Sequence, residues 1–131
     1  MIIYCAADRN YFDLYFDLWE KQTSKIYPEL KRHIALHNPT KNHFYLLRWL
    51  YMPYLYQQNI LETQINCLPI KEMNFPTKIN VDQWRLQRPK KGGLGGVSAA
   101  IFTPEAAKKV VDQAIMMLKN PPDTDHPMNM W

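Results

Sequence analysis

Four polar residues stand where apolar, strand-length segments of the chain end, and their side chains could bind a ligand. They are Asp8, Asn38, Gln64 and Asn66. In open α/β sheets, ligands bind in the crevice just beyond the carboxyl ends of the strands. The positions of these carboxylate and amide groups therefore predict a polar binding site at one edge of a sheet. The alternative for the first of them is structural, since Asp8 and Asn10 could simply cap the helix that follows.

The elements that would position these residues follow from the apolar pattern. The predicted strands are Ile2–Ala7, Lys31–Leu36, Ile60–Cys67 and Val97–Phe102. Helical spacing of apolar residues predicts helices over 11–22, over 42–57 with a kink or an end at Pro53, and from Thr103 to Lys119. Because predicted helices connect the first three strands, we expect these strands to be parallel. We therefore predict a single α/β domain with a mainly parallel, Rossmann-like sheet and flanking helices.

Composition limits the class of protein. The chain has 131 residues, 47% of them apolar and 21% charged, which fits one globular domain and argues against intrinsic disorder. We expect residues 1–120 to form the domain and residues 121–131 an irregular tail. The longest uncharged stretch, 49–61, is too short and too polar to span a membrane. The first residues lack the basic start of a secretory signal, which predicts a cytoplasmic protein.

A second candidate site lies in the region 69–94, which has no clear period and which we predict to be rich in loops. The net charge is +4, and residues 78–91 carry five basic residues against one acidic residue. The candidates for a phosphate-binding loop are Arg88, Lys90, Lys91, Gly95 and Gly96. The run matches neither common phosphate-loop motif, so it could equally be a connector. The pair Trp84-Arg85 leaves open a third role, the binding of single-stranded nucleic acid.

Catalytic groups cannot be assigned from residue types alone. No Ser-His-Asp or Cys-His arrangement stands out, and neither the four histidines nor the two cysteines have the spacing of metal ligands.

Several segments, taken in order, resemble nucleotide-diphospho-sugar transferases of the GT-A type, especially family-eight-like glycosyltransferases. AADRNYFDLYFDLWEKQ resembles their first strand and helix, and LKRHIALHNPT resembles their second strand and its turn. HFYLLRWLYMPYL resembles the helix before their metal-binding strand, and GGVSAAIFTPEAAKKVVDQAI a later strand and helix. Together these segments cover most of residues 2–118.

The resemblance implies particular roles. Ala7, Asp8 and Tyr11 would hold the base and ribose of a nucleotide sugar, and Arg48 would reach toward the nucleotide. In the family, an Asp-x-Asp at the end of the third strand binds a divalent cation on the diphosphate. Here the corresponding residues are expected to be Gln64-Ile65-Asn66, a degenerate motif. Neutral amides bind hard cations less well than carboxylates, so manganese or magnesium should bind weakly.

The implied function is transfer of a sugar from a nucleotide-diphospho-sugar to an acceptor hydroxyl. The alternative is a non-catalytic remnant or interaction module. Such a module could form a homo-oligomer, need a partner chain that supplies missing elements, or bind nucleic acid through residues 78–91.

Overall fold

A computed structural model describes residues 1–37, 48–72, 83–87 and 97–120 of the chain. The strands are β1 (Ile2–Asp8), β2 (Lys31–His37), β3 (Ile60–Thr63), β4 (Gln83–Gln87) and β5 (Val97–Phe102). The helices are α1 (Arg9–Ile26) and α2 (Pro104–Lys119), with a short 3-10 helix at Tyr54–Tyr56. Residues 48–50 are also helical. Neither α1 nor α2 is long and apolar enough to cross a membrane.

The five strands form one mixed sheet in the order β2-β1-β3-β5-β4. β1 runs parallel to both β2 and β3, whereas β5 is antiparallel to β3 and to β4. Four of the five strands consequently point the same way, with β5 reversed. The predicted α/β class is confirmed, and so is the parallel arrangement of the first three strands.

The sheet is covered on both faces, which explains why β1 is apolar from Ile2 to Ala7. On one face, Ile3 and Cys5 pack with Trp19 of α1. On the other face, Tyr4 packs with Trp49 and with the apolar side of α2. Successive residues of a strand point to opposite faces, so a strand between two layers must be apolar at every position.

The start of α1 differs from the prediction. The N-cap is Asp8, whose Oδ1 accepts a hydrogen bond of 2.8 Å from the backbone N–H of Tyr11. The helix therefore begins at Arg9, two residues earlier than predicted, and Asn10 lies within its first turn. A carboxylate is a strong helix cap, because it satisfies a backbone donor that has no partner in the helix.

The end of β3 is also different. The strand stops at Thr63, and the chain then turns, with the N–H of Cys67 bonded to the carbonyl of Gln64. The predicted strand Ile60–Cys67 is therefore wrong beyond Thr63, because the turn takes Gln64 and Asn66 out of the strand. Glu62, within the strand, is buried.

Two further predictions are revised. The predicted loop region 69–94 contains β4, an edge strand that pairs with β5. The helix predicted over 42–57 has ended before Pro53, which is the N-cap of the 3-10 helix. Residues 38–47, and with them Asn38, lie outside the described part of the chain, as does the tail 121–131.

Candidate functional site

The order of the strands places a crevice at the carboxyl ends of β1 and β3. From β1 the chain goes to β2 on one side, and it then returns to β3 on the other side. The first connection, α1, covers one face of the sheet, while residues 49 and 52 of the second connection belong to the core on the opposite face. Such a reversal is a topological switch point, where open α/β sheets bind their ligands. The candidate site is therefore the carboxyl edge of β1 between β2 and β3.

The early end of β3 widens this crevice. β2 pairs with all seven residues of β1, from Ile2 to Asp8. β3 pairs with Ile2, Ile3 and Tyr4 only. Beyond Tyr4, no strand of the described residues pairs with the side of β1 that faces β3, and the turn at 64–67 follows there, with Ile65 packed in the same core cluster as Cys5 and Ala7. We call this edge of β1 the β1 notch.

Two of the predicted site residues meet at the β1 notch. Asp8 ends β1, is only 9% exposed, and lies opposite His37 of β2. Tyr11 is joined to Asp8 by the capping hydrogen bond, and its half-exposed ring stacks on that of Tyr15 with the ring centroids 5.9 Å apart. Ala7 precedes them and is buried on the α1 side. A carboxylate acceptor thus lies at the predicted edge, and the backbone of Tyr11, whose half-exposed ring lies against Tyr15 on α1, is bonded to it.

The sequence analysis assigned no role to His37, but the parallel register of β1 and β2 places it beside Asp8. Burial lowers the pKa of His37, and the nearby carboxylate of Asp8 opposes that shift. A neutral imidazole next to a carboxylate can donate or accept a hydrogen bond, so His37 joins the polar groups at this edge.

Arg48 does not join Asp8 and Tyr11 in the same hydrogen-bond group. Its guanidinium donates two hydrogen bonds to Oε1 of Glu62, at 3.1 Å from Nε and 2.5 Å from Nη2. Glu62 pairs in register with Tyr4, which precedes Asp8 by four residues on β1. The hydroxyl of Tyr4 in turn donates to the backbone carbonyl of Arg48 at 2.7 Å. Arg48 is thereby held at both its backbone and its side chain.

The Glu62–Arg48 pair was not anticipated, and it is the most unusual electrostatic feature of the described core. Glu62 is 1% exposed, and its Oε2 has no hydrogen-bond partner among the residues that the structure describes. Burial raises the pKa of Glu62, an effect that the charge of Arg48 and its hydrogen bonds partly offset. Burial and the charge of Glu62 together raise the pKa of the Cys5 thiol to about 12, so that thiol stays protonated. Cys5 is not a nucleophile in this state.

The divalent cation implied by the family resemblance does not fit the donors present. The side chains at and after the end of β3 are those of Thr63, Gln64 and Asn66, which carry no charge. The Oγ1 of Thr63 is bonded to Trp19, and Glu62 is engaged by Arg48. Across the ranges that the structure describes, no three His, Cys, Asp or Glu side chains cluster in a way that could hold a metal ion. Neutral amides bind a hard cation less well than the carboxylates of the family motif.

The second candidate site cannot be compared with the structure. Its residues, Arg88, Lys90, Lys91, Gly95 and Gly96, lie outside the described ranges. Trp84 and Arg85 belong to β4, where they pair in register with Ile101 and Ala100 of β5. A strand, and not a loop, therefore carries this dipeptide. Phosphate and nucleic-acid binding by residues 78–91 both stay predictions.

We expect the change Glu62→Gln to alter the pH dependence of stability. Because the pKa of Glu62 is raised above its unfolded value, the folded protein binds the proton of this carboxyl group more tightly than the unfolded chain does. This tighter proton binding stabilises the folded protein fully at pH values below the usual carboxyl pKa. The stabilisation is lost as pH rises through the raised pKa. The free energy of unfolding of the variant, relative to wild type, should therefore increase from about pH 4 to pH 8. Urea unfolding across this range measures it.

A matched control for this measurement is Glu20→Gln, which removes a carboxylate that is 37% exposed and bonded to Arg32. Its stability difference from wild type should not become more favourable as pH rises. A difference for Glu62→Gln that stays constant across the range would contradict the assignment.

Comparison with known proteins supports the fold. No family model matches the sequence, and no curated protein matches it either. A solved structure does match, described as the crystal structure of a glycosyltransferase involved in the glycosylation of the major capsid of PBCV-1. The TM-score is 0.69, and the match covers 95% of this chain and 71% of that one at 10% sequence identity. The chain accordingly has a glycosyltransferase-like fold.

Proposed function

We propose that this chain binds a nucleotide-diphospho-sugar in the β1 notch and acts as a glycosyltransferase of the GT-A type. The observation that carries the proposal is the topological switch point between β1 and β3, on a fold shared with a glycosyltransferase. The carboxylate of Asp8 is the acceptor for ribose or base, and the ring of Tyr11 is the surface on which a base can stack. Both groups stand at the edge where the fold class places ligands.

In this proposal the charge of the diphosphate is met by side chains and not by a tightly held metal. The turn after β3 provides the side-chain amides of Gln64 and Asn66. The only guanidinium described on this face of the sheet is that of Arg48, and it is already paired with Glu62. The additional cations are the lysines and arginine of residues 88–91, which are proposed here from sequence alone. In the transfer step the acceptor oxygen bonds to the anomeric carbon as the bond to the diphosphate oxygen breaks. The acceptor proton is released and the electron pair leaves with the nucleoside diphosphate.

The test is a thermal-shift panel of nucleoside diphosphates, each with manganese and with a chelator. A ligand at 100 times its dissociation constant stabilises the folded state by about 2.7 kcal/mol, which raises Tm by several degrees. We expect one or more nucleoside diphosphates to do so, to a similar extent with and without metal. A short single-stranded oligonucleotide in the same panel tests the alternative of nucleic-acid binding.

The informative variant is Asp8→Asn. Asparagine caps helices as well as aspartate does, so α1 should keep its first turn. The change replaces one carboxylate oxygen by a donor group and removes the charge, so nucleotide stabilisation should decrease. The control Asp13→Asn removes an exposed carboxylate one turn further along α1, where Asp13 pairs with Arg9. Equal nucleotide binding by the two variants would refute the role of Asp8, and no response to any nucleotide would refute the proposal itself.

A further inference from the structure

An apolar stripe lies on the outer surface of α1, beside the residues that pack on the sheet. Tyr11, Leu14, Tyr15 and Leu18 follow one another at the spacing that places side chains on one face of a helix. The two leucines are 70% and 55% exposed. Trp19, which is fully buried, is the residue that anchors α1 to the sheet. Tyr15 also packs against the core cluster around Trp19, so the stripe borders the core-facing side of the helix, and Leu14 and Leu18 are its most exposed members.

A loop after β3 extends this surface. The side-chain amide of Gln22 donates a hydrogen bond of 2.6 Å to the backbone carbonyl of Pro69, which holds the loop against α1. On either side of Pro69, Leu68 and Ile70 are exposed, the latter to 85%. We call the combined surface the α1 patch, and its apolar members are Tyr11, Leu14, Tyr15, Leu18, Leu68 and Ile70.

The charges around the α1 patch are mostly positive. Lys21 and Lys25 follow Leu14 and Leu18 by seven residues each, which places them on the same face of the helix, and both are exposed. Lys71 follows Ile70 in the loop, with Glu72 after it.

The carboxylates of α1 are mostly directed elsewhere. Asp13 pairs with Arg9, and Glu20 pairs with Arg32 of β2. Asp17 is the one carboxylate of the helix that borders the patch. The patch is therefore apolar at one end of α1 and basic at the other.

The charges around the α1 patch distinguish between two binding partners, a second copy of this chain and an anionic membrane. A second copy bound through the same patch in a twofold arrangement would present the same lysines, and the described patch offers only Asp17 and Glu72 as acidic groups to meet them. An anionic lipid surface offers the opposite charge to the lysines and an apolar interior to the exposed leucines. Interfacial helices combine exposed leucine and aromatic residues with lysine in this way.

We propose that the α1 patch is a docking surface for an anionic phospholipid bilayer. The helix lies along the membrane surface without spanning it, with Leu14 and Leu18 entering the acyl boundary and Lys21 and Lys25 meeting the headgroups. The β1 notch lies at the amino end of the same helix, so docking holds that notch close to the membrane.

The test is co-sedimentation of the full chain with vesicles. We expect binding to phosphatidylcholine vesicles that contain about 30% phosphatidylserine, weaker binding at high salt, and little binding to phosphatidylcholine alone. Lys21→Gln with Lys25→Gln should reduce binding about fivefold for each lysine. Leu14→Ser with Leu18→Ser should reduce it more than tenfold.

Two control variants lie on α2. Met116→Ser removes an apolar side chain that is 64% exposed, and Lys119→Gln removes an exposed charge at the end of that helix. Both should bind vesicles as wild type does, and all variants should retain the wild-type Tm. Equal binding to both vesicle types, no binding, or equal loss in the α2 variants would overturn the proposal. So would a dimer in solution that Leu14→Ser with Leu18→Ser converts to a monomer, because the patch would then be a protein interface.

Discussion

We expect the change Arg48→Met to lower the free energy of unfolding by about 3–5 kcal/mol, because it leaves the buried carboxylate of Glu62 without its counter-charge. The guanidinium of Arg48 donates two hydrogen bonds to Oε1 of Glu62. Among the described residues, no group donates a hydrogen bond to Oε2. The aliphatic part of methionine preserves much of the packing of the arginine stem. Equilibrium unfolding in urea gives the difference directly.

The double variant Arg48→Met, Glu62→Met separates the cost of the lone charge from the value of the pair. Replacing both members of a buried ion pair by apolar groups is often neutral or stabilising, so most of the loss should be recovered. Arg32→Met is the matched control, since Arg32 forms the other Arg–Glu pair of the described sheet but is 30% exposed. It should cost about 1 kcal/mol or less. A loss in Arg48→Met as small as that of the control would show that Glu62 is not ionised in the folded state.

The change Trp19→Ala should lower the free energy of unfolding by about 3–5 kcal/mol as well. Trp19 is fully buried between α1 and the sheet, and its indole N–H donates to the hydroxyl of Thr63 at 3.2 Å. The variant thus leaves both a cavity and a buried hydroxyl without this partner. Trp19→Phe keeps an aromatic ring and should cost less, mainly the lost hydrogen bond of about 1–3 kcal/mol.

The neighbouring residue provides the comparison for Trp19. Leu18 is 55% exposed on the same helix, so Leu18→Ala should change stability by about 0.5 kcal/mol or less. Similar losses at positions 18 and 19 would mean that α1 is rotated about its axis relative to the arrangement described.

The sequence was sufficient to predict those strands and helix ends that depend on a few adjacent residues. The continuous apolar run Ile2–Ala7 fits a strand buried on both faces, and Thr103-Pro104-Glu105 carries the cap, the first-turn proline and the acidic residue of a helix start. The capping role of Asp8 was also open to local reasoning, since its partner Tyr11 is three residues away. These features depend on short-range sterics and hydrogen bonds.

The features that were missed depend on residues distant in the chain. Arg48 and Glu62 are 14 positions apart, and their pairing requires the second connection to lie over the face of the sheet that carries Tyr4. The alternation of Glu62, Gln64 and Asn66 is typical of a strand whose polar face meets solvent or lines a site. Period alone cannot show that Glu62 is buried and paired with Arg48. His37 came next to Asp8 only through the parallel register of β1 and β2.

The early end of β3 also affects which substitutions the surroundings of the β1 notch can accept. Beyond Tyr4, β1 presents main-chain N–H and C=O groups toward the notch without a β3 partner, and main-chain groups are the same whatever the side chains are. A ligand recognised partly through such groups constrains the path of the backbone more than the identity of the residues. Substitutions can then accumulate around the notch while its shape is inherited.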